Sequence, residues 1–141
     1  MIGIDLGVQN LGVYSPYLGF RTYTQTDSFL DLVDCIAELT KNEVCFVDFS
    51  WNINNWPGNR RTKLHIIFLA ATIYNSADLC YFVEPAQIRQ WLGFWAVVKK
   101  SEVHKTVKIL YPEILNKNQH EIDAYLLYKW GEKHHNEIYR E

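Results

Sequence analysis

The chain has 141 residues, 48% of them apolar, 15% aromatic and 21% charged, with a formal net charge of −2. That length suits one domain, residues 1–141, with a core of its own. No apolar run reaches the roughly 20 residues of a membrane span, and the start lacks the basic-then-apolar pattern of a secretory signal, so an intracellular protein with no membrane partner is expected. Cys35, Cys45 and Cys80 are odd in number, widely spaced and set in apolar runs, which reads as reduced core thiols. The small net charge hides a gradient. Residues 1–56 hold two Lys or Arg against seven Asp or Glu, residues 57–111 eight against three, and residues 112–141 four against six. The middle third is either a solvated helix face or a surface for a polyanion, for which local field counts more than total charge.

In chain order, residues 1–6, 11–17 and 19–26 alternate or run apolar with glycines between them, predicting three short strands in a meander, with Gly7 and Gly12 read as turn signals. Residues 27–42 carry apolar side chains at 29, 30, 32, 33, 36, 37 and 39, a helix with an acidic outer face, capped by Asp27 or Ser28 and stopped at Asn42. "EVCFVDFSW" is an almost continuous apolar strand, the pattern of a strand covered on both faces. After the polar loop "NINNWPGN" comes a long helix over "RRTKLHIIFLAATIYNSA", then the buried strand "DLCYFVE", stopped by Pro85. A short helix, "PAQIRQWLG", has Pro at its first position and Gly at its end. "FWAVV" links it to a helix over "KKSEVHKTVKILYPEI", and a last helix runs from near Gln119 to about His134. Strands followed by alternating helix and strand predict an α/β domain, a mixed sheet flanked by helices.

Three acids stand out. Asp5 and Asp48 each sit near the end of an apolar strand, where a lone carboxylate is costly. If those strands are parallel neighbours, the two acids lie side by side at the sheet end where α/β folds bind ligands. The last helix opens "QHEIDAYLLYKW" and puts His120 and Asp123 at i and i+3 on one face, beside the apolar stripe of Ile122, Leu126 and Trp130. Asp5, Asp48, His120 and Asp123 together suit two divalent ions, Mg²⁺ or Mn²⁺, the imidazole tilting the choice towards Mn²⁺. Each also has a structural use: Glu121 and Asp123 complement a helix N-terminus, His120 caps it, and Asp48 holds the loop after its strand. Asp5 and Asp48 on two core strands favour the metal.

Two family resemblances are carried by short motifs. "GIDLG" with "QN" is similar to the phosphate-binding turn of actin and heat-shock ATPases, which need a second duplicated domain that 141 residues cannot supply, so no nucleotide cofactor is expected. "VEPAQIRQWLGFWAVVKKSEVHKTV" resembles the RuvC family of Holliday-junction resolvases, through Pro85, Gln87, Ile88, Arg89, Gly93, Lys100 and Val103. The "IDLG" start and the "HEIDA" of the last helix fit the same family in the same order. The resemblance implies a ribonuclease H-like five-stranded mixed sheet and a metal-dependent endonuclease that nicks four-way DNA junctions symmetrically, as a homodimer. Asp5, Asp48, His120 and Asp123 would be the metal ligands, with Asp48 standing where the family usually has Glu, and Glu84 and Glu121 as competing carboxylates. Trp51 would be the aromatic wedge at the junction centre, with Trp56 as its rival, since base stacking on an indole contributes roughly 1–3 kcal/mol. Arg60, Arg61, Lys63, Arg89, Lys99 and Lys100 would contact phosphates, with Lys100 stabilising charge on the scissile one. The helix over residues 62–77 would form the dimer, whose two-fold axis matches that of the junction. The chain is short for the family, which suggests a trimmed viral, or phage, member. The rival expectations are another nuclease of this fold, acting on RNA–DNA hybrids or of transposase type, and a non-catalytic junction-binding module.

Overall fold

Alternation along the strands sorts the sheet into two faces. Strands β1 (Ile2–Asp5), β2 (Asn10–Ser15) and β3 (Gly19–Thr24) form the antiparallel meander. Strands β4 (Val44–Asp48) and β5 (Leu79–Val83) add in parallel on the other side of β1, giving the order β3-β2-β1-β4-β5. This computed structural model describes residues 1–7, 9–24, 28–95 and 97–138. Asp27 (the other cap candidate), positions 25 and 26 of the expected third strand and Ala96 of the expected linker lie outside the described residues.

Ile2, Ile4, Leu11, Val13, Cys45 and Val47 are buried together on one face, against Leu32 and Ile36 of α1 (Phe29–Thr40) and Leu69 and Ile73 of α2 (Arg60–Ser76). The Ser28 hydroxyl caps α1 by accepting from the Leu30 N–H, and Asn42 ends the segment at φ 61°, a left-handed conformation that Asn tolerates. Asn59 caps α2, its Oδ1 accepting from the Thr62 N–H at 2.9 Å. One sequence expectation fails here. Cys35 is exposed, because the helical period sets it beside Asp31, Asp34 and Glu38 on the outer face of α1. Cys45 is buried and Cys80 half-buried, and all three are free thiols.

Since side chains alternate along a strand, Gly3, Asp5, Phe46 and Asp48 face the other way, towards α5 (Gln119–Ile138). That helix lies almost directly on the strands. A methyl group added at Gly3 would sit 2.0 Å from the Ala124 carbonyl oxygen, and one at Gly12 would sit 2.1 Å from that of His120. Gly12, read from sequence as a turn residue, is inside β2 and is needed for this close approach. Helices α3 (Pro85–Trp91) and α4 (Lys100–Leu110) pack against α5, with Val103, Val107, Ile122, Tyr125 and Leu126 forming a second core. Among the described residues no helix is long and apolar enough to cross a membrane.

Candidate active site

The parallel register pairs Ile4 of β1 with Val47 of β4, and the next step sets Asp5 beside Asp48. Both face the first turns of α5. Asn118 and Glu121 fix where that helix starts. The Asn118 side chain accepts from the Glu121 N–H at 2.8 Å, and the Glu121 carboxylate accepts from the Asn118 N–H, a reciprocal capping box. With the helix start fixed and Gly12 beneath it, His120 comes to the sheet, and its Nδ1 donates to Oδ2 of Asp5 at 3.1 Å. One turn on, Asp123 meets α4, where Lys100 Nζ lies 2.5 Å from its Oδ2 and His104 Nε2 lies 2.7 Å from its Oδ1.

The electrostatics are those of a crowded acidic site. Asp5 is only 5% exposed. Burial raises its carboxyl pKa, the His120 hydrogen bond pulls it back, and the charge of Asp123 raises it again, for a net upward shift. Asp48 is pushed up to about 7, first by burial, then by the charges of Asp5 and Asp123, and also by a hydrogen bond with Asp5. Both strand-end acids therefore hold their protons more tightly than free carboxylates do, as crowding and burial require. His120 is raised above its ordinary value chiefly by its bond to Asp5. Burial works against the Lys100 ammonium, but Asp123 outweighs it, helped by Asp5 and Asp48, and the net shift is upward. Lys100 also opens α4, where a cation opposes the helix dipole. Its contact with Asp123 offsets that cost.

What holds the acids together is packing. Tyr125, Leu126, Leu127 and Trp130 of α5 are buried, and each large apolar side chain contributes roughly 1.5–3 kcal/mol. An upward carboxyl shift of this kind costs a few kcal/mol, so docking of the helix wins.

The structure thus brings Asp5, Asp48, His120, Asp123 and Lys100 into one neighbourhood. It adds His104, which the sequence reading missed. Among the described residues no three His, Cys, Asp or Glu side chains already close around a single point as a metal cage. The donor set nonetheless fits a divalent cation. Three carboxylates repel one another with one ammonium among them, and the buried Oδ2 of Asp123 has that displaceable Lys100 ammonium as its contact. A cavity of about 250 Å³ opens beside them, lined by Asp48, Pro85, Ile88, Lys100, His104 and Asp123 among others.

The competing carboxylates have other work. Glu84 accepts from the Trp51 N–H at 3.3 Å and takes part in the capping box of α3, and Glu121 caps α5. The two tryptophans of the β4–α2 loop also separate. Trp56 is half-buried, its Nε1 donating to the Ser50 carbonyl at 3.0 Å and its ring edge-on to Phe49. Trp51 is 68% exposed, its ring edge-on to Phe49 and Phe82. Arg60 and Arg61 are exposed at the start of α2, with Lys63 half-buried behind them, and Lys99 is exposed at the start of α4. Arg89 is half-buried, and its Nε donates to the Val98 carbonyl at 3.1 Å, tying the α3–α4 loop back to α3.

No protein-family model matches the sequence, and neither does any curated protein. Solved structures do match. The T. thermophilus RuvC in complex with a Holliday junction substrate is 16% identical, with a TM-score of 0.66 over 94% of this chain and 96% of that one. A further Thermus thermophilus RuvC structure is 17% identical, with a TM-score of 0.65 and the same coverage. The shared feature is the fold, the ribonuclease H-like mixed sheet with its helices.

Proposed function

We propose that this protein is a metal-dependent endonuclease that resolves four-way DNA junctions by paired, symmetric nicks. The observation that carries the reading is the pair Asp5 and Asp48, side by side on parallel strand ends with Asp123 in their field, in a fold shared with RuvC. Asp5, Asp48, His120 and Asp123 would hold two Mg²⁺ or Mn²⁺ ions. When bound, such ions supply Lewis acidity for phosphodiester hydrolysis by water.

The chain's own residues do the rest. His120 keeps Asp5 oriented through Nδ1, which leaves Nε2 for a further partner. Lys100 neutralises the acids until a cation arrives and then offers its half-exposed ammonium to a phosphate oxygen. Trp51, exposed beside the site's β4 edge, is the wedge for an unpaired junction centre, and the anchored Trp56 supports its loop. Arg60, Arg61, Lys63, Lys99 and the remaining guanidinium nitrogens of Arg89 take backbone phosphates. On α2, Leu64, Phe68 and Tyr74 are 53%, 51% and 64% exposed. These side chains would be buried in a two-fold dimer that positions two sites on one symmetric junction.

The test is incubation with a synthetic mobile four-way junction and Mg²⁺ or Mn²⁺. Symmetric, ligatable nicks are expected. Preferential cutting of an RNA–DNA hybrid would favour another nuclease of this fold, and tight binding without cutting under either metal would reduce the protein to a junction-binding module.

A further inference from the structure

His104 is a side chain that no motif pointed to, yet it makes a short polar contact in the site. It lies one helical turn after Lys100, and the two residues share the face of α4 that buries Val103 and Val107. Its side chain is 13% exposed, and its Nε2 lies 2.7 Å from Oδ1 of Asp123. A carboxylate only accepts, so Nε2 carries the proton and donates. The two oxygens of Asp123 are therefore unlike. Oδ1 is held by His104. Oδ2 is buried and meets the Lys100 ammonium, which also lies in the field of Asp5 and Asp48.

We infer that His104 is a positioning residue: it fixes the rotation of the Asp123 carboxylate so that Oδ2 is the oxygen given to a divalent cation. The inference rests on the metal-centre reading above and adds to it which residue sets that ligand's orientation. Without His104 the carboxylate turns about its χ2, a soft torsion, and follows Lys100 when a cation competes for the site. With it, one oxygen stays fixed while Lys100 gives up the other. His104 itself is a donor to a ligand and not a ligand. The outer partner of a metal-bound group typically governs affinity by roughly 10–100-fold.

The experiment is Mn²⁺ titration by calorimetry on the wild-type chain, on His104→Leu, which keeps volume but removes the donor, and on His104→Gln, whose amide can donate from a similar position. Circular dichroism and melting check that each variant is folded. Expected are Mn²⁺ binding weakened roughly 10–100-fold in His104→Leu and within about threefold of wild type in His104→Gln. The same order is expected in the Mn²⁺ concentration that half-activates cleavage, with the rate at saturating metal largely recovered. Equal Mn²⁺ affinity in His104→Leu and wild type would overturn the positioning role. So would a His104→Gln variant as weak as His104→Leu, since that would make the imidazole a ligand. A folded wild type that takes up no Mn²⁺ at millimolar concentration would instead sink the metal centre itself. Should His104→Leu not fold, His104→Ala takes its place as the variant without a donor, and the same two outcomes decide.

Discussion

Strands β1 and β4 run side by side between two acidic ends that are built in opposite ways. At their start, Glu43 receives the N-terminal ammonium of Met1 at 3.4 Å and the Tyr17 hydroxyl, one carboxylate with a cation and a donor. Burial and the bond to Glu43 push the Tyr17 phenol up to about 12, so it remains a donor throughout the ordinary pH range. At their finish, Asp5 and Asp48 lie against each other with Asp123 added from α5, and the Asp48 carboxyl rises to about 7. The first end is satisfied by the protein itself. The second is satisfied only in part, and groups perturbed in this way cluster at functional sites.

The contrast can be broken in four places. The largest expected effect is at Asp5. Losing an outer partner of a metal ligand costs roughly 10–100-fold, and losing the ligand costs at least that, so Asp5→Asn lowers junction cleavage by about two orders of magnitude or more. Junction binding without metal stays near wild type in a gel-shift assay, and cleavage near the wild-type rate would remove Asp5 from the centre. Next comes the loop after β4. Trp51→Ala weakens junction binding by roughly 1–3 kcal/mol with little change in melting temperature. Trp56→Ala does the reverse, because it removes the bond to Ser50 and the packing on Phe49. Exchanged phenotypes would make Trp56 the wedge.

The third effect is pH-dependent. Asp48 holds its proton more tightly when folded, about 7 against an ordinary 3.8, so its contribution to stability is complete below about pH 4 and is lost as pH rises through 7. Asp5 and His120 are shifted upward too and act with the same sign. Glu113 is shifted downward by its bond from Tyr125 and opposes them only near and below its ordinary carboxylate range. The metal-free protein should therefore melt higher at pH 5.5 than at pH 8. Saturating Mn²⁺ should flatten or reverse the slope, and Asp48→Asn should raise the melting temperature at pH 8 while losing cleavage. A metal-free protein that melts lower at pH 5.5 would contradict the crowding. The smallest effect belongs to the satisfied end. Glu43→Gln is expected to cost about 1 kcal/mol or less in a denaturant melt and to leave cleavage unchanged.

Much of this was legible in the order of residues. The continuous apolar run before Asp48 and the alternating runs around Asp5 predicted the strands, and their parallel pairing gave the neighbouring acids a physical reason to meet. Asn118, three residues before Glu121, marks the start of α5 within a residue of the position read from the sequence. Gly12 was misread because a glycine in a strand looks the same whether it turns the chain or makes room for a helix that arrives more than a hundred residues later. His104 was missed because its partner is nineteen residues away on another helix. A signal was nonetheless present. Positions 100, 103, 104 and 107 share one face of α4, and two polar residues stand beside the buried Val103 and Val107.

The helix that lies bare on the sheet has one more consequence. Near its far end, Gly131 of α5 presses on the Phe46 ring, where an added methyl group would come within 2.3 Å, while its near end rests on Gly12. Helix α5 is thus a rod laid across β2 at Gly12, β1 at Gly3 and β4 at Phe46, with Asp123 carried between its two ends. A larger or smaller side chain at position 46 would tip the rod and alter the gap between Asp123 and Asp5, so the spacing of the acids would be tuned from a core residue outside their cluster.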